Sequence, residues 1–337
     1  MFWCNPGLYK MFDAYSSTND WVQGKDSTRS RTAPYYIIKG AGDPLLATLV
    51  KNGLSLTEAF VSGYFVSDLF TKISGSRNEL IVFYDANNNK LGAVTTVLTG
   101  ITGIYPYIGF TNAAGTLIAV STASLNDEGL TIEVDFKSDP TAGIVGIWVN
   151  GIKVVDFYGA TGNAVAINKV IYYVGAPNIE TGLSNCALSD IIISDKRIGD
   201  QHVTFLEPNG DTAVAGWAVS GTPVYQQIAD STAIANSYMA ATSVGLAAEF
   251  TLTSIPETVA AITAVQPMVS ALYMGNSAAK SVALTIADAT AKYTSTKKAV
   301  GTVLTNVSET WETDPATGLP WLPSVVNSLK IGVVSEA

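Results

Sequence analysis

Apolar residues fall in short alternating or continuous blocks, and Gly, Asn, Asp and Pro punctuate the gaps between them. That pattern predicts β-strands over 80–84, 93–98, 117–121, 130–136, 144–149, 152–157, 170–174 and 188–194. Two of the turns are explicit. The run 85–92, Asp-Ala-Asn-Asn-Asn-Lys-Leu-Gly, holds residues that tolerate positive φ and bond their own backbone. Asn150-Gly151 is the strongest short hairpin signal in the chain. The segment 57–68 carries a helix-compatible spacing, but its aromatic and β-branched residues favour strand.

A local cluster of charges, Lys196-Arg197-Ile198-Gly199-Asp200-Gln201-His202, follows this long β run and marks a boundary. A second β module is expected beyond it, with strands over 203–207, 212–218, 246–252, 268–274, 280–286 and 300–305 and a further one over 259–264. Strands at this spacing, with turn signals between them, indicate sandwich architecture. The reading is therefore all-β: an N-terminal arm with the first strands (1–50), a larger sandwich (51–200) and a smaller sandwich (201–337). No fixed-period repeat and no heptad run occurs, which argues against solenoids, propellers and a coiled-coil shaft.

Composition narrows the function classes. At 337 residues and 47% hydrophobic, the chain can bury two cores. Charged residues are only 14%, against a usual share of about 25%. A surface of Ser, Thr, Asn and backbone suits close assembly, because buried charges need partners. The net charge of −9 argues against nucleic acid and against anionic membranes. No apolar run approaches the roughly 20 residues of a membrane helix. The start, Met1-Phe2-Trp3-Cys4-Asn5-Pro6-Gly7, does not read as a signal peptide, so cytoplasmic synthesis without export is expected. Cys4 and Cys186 are too few for a disulfide framework or zinc site; two reduced thiols are expected, with a Cys4–Cys186 bridge left open.

Two resemblances give these elements a setting. The run 310–321, Thr-Trp-Glu-Thr-Asp-Pro-Ala-Thr-Gly-Leu-Pro-Trp, leads into 325–333, Val-Val-Asn-Ser-Leu-Lys-Ile-Gly-Val. It resembles the C-terminal module of many tailed-bacteriophage virion proteins, whose chains often end in W-x-T-(D/N)-P-x-T-G-x-x-W followed by a V-N-x-L-x-x-G-V strand. The same residues also read as two Trp filling a core beside a Pro/Gly turn. The segments 146–154, Gly-Ile-Trp-Val-Asn-Gly-Ile-Lys-Val, and 186–195, Cys-Ala-Leu-Ser-Asp-Ile-Ile-Ile-Ser-Asp, are similar to the concanavalin A-like, laminin-G-like jelly roll. That resemblance implies that 51–200 is a laminin-G-like jelly roll whose late strand closes the inner sheet.

Jelly-roll glucanases carry an E-x-D-x-E run on one strand, and here Glu133 and Asp135 match its first two acids. Alternation places them on one sheet face, but Lys137 stands where the second Glu should be. Glycoside hydrolysis needs two carboxylates across the bond. An outward-facing polar ladder of Glu133, Asp135 and Lys137 is therefore the preferred reading. His202, the single histidine, would have to serve any Ser-His-Asp site, and no Gly-x-Ser-x-Gly elbow is present. No multi-histidine metal site and no Gly-rich phosphate loop can be assembled. No catalytic residue, metal or cofactor is assigned.

Binding rests on aromatics. Tyr105, Tyr107, Tyr158 and Tyr172 are candidates for stacking on a glycan, and Trp3, Tyr35 and Tyr36 for contact between subunits through an N-terminal arm. The expectation is a non-enzymatic structural protein of a tailed-phage virion, either a head decoration or spike or a tail or baseplate appendage, in multiple copies. Its partners would be other virion proteins and copies of itself, without nucleic acid or membrane insertion. The alternatives are a receptor-binding adhesin recognising host surface glycan and, behind it, a glycan hydrolase.

Overall fold

The computed structural model describes residues 2–5, 14–16, 21–25, 35–39, 47–67, 78–97, 106–125, 129–174, 186–199, 201–228, 238–255, 259–275 and 278–337. They form two compact units, Met1–Thr204 and Phe205–Ala337. The segment 196–202, read from the sequence as a boundary, belongs to the first unit.

Strands of the first unit, in chain order, are β1 (Phe2–Asn5), β2 (Ala14–Ser16), β3 (Trp21–Lys25), β4 (Tyr35–Lys39), β5 (Ala47–Lys51), β6 (Ala59–Ser67), β7 (Asn78–Tyr84) and β8 (Lys90–Val97). They continue with β9 (Tyr107–Asn112), β10 (Leu117–Ser124), β11 (Gly129–Lys137), β12 (Gly143–Val149), β13 (Ile152–Gly159), β14 (Lys169–Val174) and β15 (Cys186–Ser194). One antiparallel sheet, the front sheet, runs β13-β12-β11-β6-β15-β4-β3, with β1 also on β15. The other, the back sheet, runs β10-β9-β8-β7-β14-β5-β2. The all-β sandwich expected from the alternation is what forms.

Alternation along the strands sends one set of side chains from each sheet into a shared core. Val61, Leu130, Ile132, Val134, Phe136, Ile147 and Ile193 meet Leu49, Ile81, Phe83, Val94, Ile108, Phe110 and Val170 there. Phe136 sits 4.8 Å from both Phe83 and Phe110, ring centre to ring centre. Both expected turns are built. Asp85 Oδ1 accepts the Asn87 and Asn89 amides at 2.8 Å each, and Asn88 takes φ 63°. Asn150 (φ 49°) opens the β12–β13 hairpin, and its Oδ1 accepts the Thr131 amide at 2.9 Å.

The N-terminal strands, illegible as a pattern, find their partners at long range. β15 pairs with β4 through Cys186–Leu188 and with β1 through Ile191–Ser194, and a bulge lies between. β2 pairs with β5 in the back sheet. Cys4 lies opposite Ile192, six positions from Cys186 along the same strand. At about 3.3 Å per residue that is roughly 20 Å, whereas a disulfide needs Cα atoms within about 7 Å. The register therefore excludes a Cys4–Cys186 bridge.

The second unit contains β16 (Pro208–Ala213), β17 (Ala218–Val219), α1 (Val224–Ile228), β18 (Met239–Ala240), β19 (Ala247–Leu252), β20 (Met268–Ala271) and β21 (Ser281–Ala287). β22 (Lys292–Thr294), β23 (Lys298–Ala299), β24 (Thr305–Ser308), α2 (Pro323–Val326) and β25 (Lys330–Glu336) follow. Its main sheet runs β16-β19-β25-β21-β22, with β23 beside β21. The expected strands over 203–207 and 300–305 are not formed; β24 starts where the second was expected to end. The 310–321 run closes on itself. Asp314 Oδ1 accepts the Ala316 amide at 2.9 Å, and the Gly318 amide reaches the Asp314 carbonyl at 2.7 Å. Trp321, only 2% exposed, donates its Nε1–H to the Trp311 carbonyl at 2.8 Å and packs on Ile255, Ile286, Val326 and Leu329.

Candidate functional site

The outer face of the front sheet gathers the chemistry. Glu133, Asp135 and Lys137 share it, as alternation on β11 requires. β12 lays Trp148 opposite Glu133 and Gly146 opposite Asp135, while β6 brings Ser62 and Phe60. Gly146 is needed because Trp148 lies across it: a Cβ there would stand 2.7 Å from the indole ring. The β12–β13 hairpin adds Lys153 and Asp156, paired at 2.5 Å.

This face is not the solvated ladder expected from the sequence. Glu133 is 2% exposed and Asp135 9%. The cover is the chain just after β15. Glu133 Oε1 accepts the Ile198 amide at 2.8 Å and the Gly199 amide at 3.1 Å. Arg197 lies 4.5 Å over the Trp148 ring, with its Nε 3.9 Å from Glu133 Oε2. Ile198 and Val203 pack on Ile192 and Phe60. Asp190 sits at the bulge with φ 49°; its Oδ1 accepts the Val203 amide at 3.1 Å and its Oδ2 is 3.6 Å from His202 Nδ1. Two buried carboxylates thus clasp one returning segment by its backbone. A carboxylate held by two amides and an arginine is an anchor, and its accepting lone pairs are directed at the protein.

Asp135 has a different environment. Burial is the main cause that raises its carboxyl to about 7, and the nearby Glu58 carboxyl adds to the effect. Glu58 just precedes β6, diagonally across from Asp135. Glycoside hydrolysis needs two carboxyls set about 5 Å or more apart across the bond, and Glu133 is committed to the returning segment. Neither Glu58 nor Arg197 is marked by any local motif. Strands β6 and β11 lie far apart in sequence, and only their pairing brings Glu58 to Asp135.

The aromatic candidates do not converge. Tyr172 is a correction: it is fully buried in the sandwich core, where its hydroxyl lies 3.3 Å from the Ser62 carbonyl, so it cannot stack on a ligand. Its place on β14 between β5 and β7 points it inward, and the neighbouring Tyr173 takes the other face. Tyr107 is half-buried at the start of β9, and Tyr158 is 69% exposed on β13, the edge strand of the other sheet. Lys153 Nζ lies 6.0 Å from the Tyr158 ring. Tyr105 lies outside the described residues. Trp3, Tyr35 and Tyr36 fall on β1 and β4, whose backbones pair within the front sheet. Among the described residues, no group of three or more His, Cys, Asp or Glu could hold a metal ion.

No protein-family model and no curated protein matches the chain. Several solved structures share partial likeness. The alginate lyase Aly36B is 12% identical over 60% of this chain and 98% of its own, with a TM-score of 0.39. A SAP-like pentraxin from Limulus polyphemus is 12% identical over 48% of this chain and 76% of its own, with a TM-score of 0.35. The exoplasmic/lumenal domain of VIP36 in its Ca2+/Man-bound form is 9% identical over 54% of this chain and 84% of its own, also at 0.35. These are β-sandwich lectin, lyase and pentraxin structures, and at such scores nothing they bind or cleave transfers to this chain.

Proposed function

We propose that the chain is a non-enzymatic structural component of a tailed-bacteriophage virion, assembled in multiple copies as a head decoration or spike or as a tail or baseplate appendage. The observation that carries the non-enzymatic part is the use of Glu133: the acid that matches the glucanase run is bonded to the Ile198 and Gly199 amides and is 2% exposed. The virion setting rests on the 310–321 run and its resemblance to phage C-terminal modules. That both Trp residues pack or bond within the second unit supports a building role for the run over a ligand-binding one. Low charge is in keeping with close packing among copies. Immunogold microscopy of intact particles, with antibody raised against the purified chain, tests the reading. Label over heads or tails supports it, and particles that lack the protein refute it.

One observation favours a second reading, that of an adhesin for host surface glycan. Tyr158 stands 69% exposed at a sheet edge beside Lys153, the geometry of an aromatic platform with a polar neighbour. The purified chain would then bind host polysaccharide, and Tyr158→Ala would abolish that binding. A hydrolase reading requires release of reducing ends that Glu133→Gln stops.

A further inference from the structure

Open strand edges are templates for pairing with another chain, and proteins blunt them with charge, shortness, proline or bulges. The outermost strands of the three large sheets are blunted in this way. β13 carries Lys153 and Asp156, β3 ends in Lys25, β2 spans three residues, and β22 spans three and begins with Lys292. β10 and β16 each slip register twice against their neighbours. The β20–β24 ribbon is different. It is two-stranded, and among the described residues no third strand joins it. Its register is unbroken from Met268 opposite Ser308 to Ala271 opposite Thr305. The pairing runs on at both ends: Val265 and Trp311 exchange amide-to-carbonyl bonds of 3.0 and 2.9 Å, and the Tyr273 amide donates to the Gly301 carbonyl at 2.7 Å. No Asp, Glu, Lys, Arg or Pro occurs over 268–279 or over 299–308. At the end away from Trp311, Leu272, Leu304, Val303 and Met274 are exposed, the last two at 74% and 75%.

We propose that the outer edge of β20 is where two copies of this chain meet, pairing strand to strand about a twofold axis so that two ribbons become one four-stranded sheet. This rests on the multi-copy reading above and names the contact. The Glu309 amide donates to the Pro267 carbonyl, so the proline's missing N–H lies on the β24 side and leaves the outer edge intact. Backbone direction alternates along an antiparallel strand, so the backbones of Met268, Ser270 and Leu272 point away from β24. A strand of another chain satisfies that row. Charge selects which strand. An acidic or basic partner finds no counter-charge on an edge without ionised side chains, whereas an identical edge meets no like charge even though the chain carries −9. A twofold contact needs a self-complementary patch, and antiparallel pairing of β20 with its own copy supplies one. The same contact removes Leu272 of each copy from water.

Sedimentation velocity of the full chain, from low to high micromolar concentration, tests the contact. The wild type is expected to form a dimer that Leu272→Lys weakens at least about tenfold, because the twofold axis brings the new charges together. Ser270→Pro should weaken it too, by removing an outward amide. Ile152→Lys, at an exposed site on β13, should leave the dimer unchanged. A wild type that stays monomeric, or a dimer kept in both ribbon variants, overturns the proposal, and so does a dimer lost equally in Ile152→Lys. Should the ribbon variants fail to fold, amide exchange of the wild type decides. Protection of Ser270 and Leu272 that rises with protein concentration upholds the contact, and protection that does not change refutes it. The virion reading is judged separately. A monomeric chain that is nonetheless found on particles sinks only the ribbon contact, and a dimeric chain absent from particles sinks only the virion reading.

Discussion

Two carboxylates in this molecule do the same job by different routes. Asp314, in the second unit, accepts the amide of Ala316 two residues on, and the turn it organises delivers Trp321 to the core. Glu133, in the first unit, accepts the amides of Ile198 and Gly199, 65 and 66 residues away. Both satisfy backbone donors, one on an exposed turn and one where the chain returns over a sheet. The first solution is written in adjacent residues, and the second exists only once β11, β6 and β15 are in register. The comparison shows why the same residue type reads as a turn in one place and as an outward-facing polar ladder in the other, where the pattern hides what covers it.

Substitutions can sharpen this contrast, beginning with the largest effect. Trp321→Ala should cost about 4 kcal/mol, because it empties a filled site and releases the Trp311 carbonyl. Chemical denaturation followed through the second unit measures it, and a loss under about 1 kcal/mol would show that the turn is decorative. Glu133→Ala should cost about 3 kcal/mol by leaving the buried Ile198 amide and the half-buried Gly199 amide unbonded and Arg197 without its anion. Its effect should appear in the first unit's transition and leave the second unchanged. Asp314→Ala, whose partners lie nearer the surface, should cost about 1–2 kcal/mol. Tyr158→Ala should stay within about 0.5 kcal/mol in stability, since the ring is exposed. Any loss of glycan binding in that variant is then a direct loss of contact.

How much was legible follows the same division. The hairpin at Asn150-Gly151, the Asp85 turn and the 310–321 turn use local chemistry, and each formed where the residues called for it. The central strands β6 to β8 and β10 to β15 follow from alternation, because a face buried on one side imposes period two, whereas β9 is not marked by it. Strands β1 to β5 carry no alternating signal: they are short, and β1, β4 and β5 pair with β15 and β14, far along the chain. At the candidate site, alternation correctly put Glu133 and Asp135 on one face, but it carried no information about what covers that face. The 196–202 cluster reads as a charged boundary with Ile198 as a lone apolar residue, and Val203, read as the start of a strand over 203–207, instead packs with Ile198 on Ile192. Tyr172 was misjudged for a related reason: in the pair Tyr172-Tyr173 the pattern cannot say which ring points inward.

The account's central claim is that Glu133 is a structural clasp and not a catalyst. Amide hydrogen exchange at Ile198 and Gly199, compared between the wild type and Glu133→Ala, tests it most directly. The prediction is strong protection of both amides in the wild type, and its loss in the variant while the β11–β12 ladder stays protected. Equal exchange in the two proteins would mean that the segment is held without Glu133, and would return this carboxylate to the list of groups free to act on a ligand.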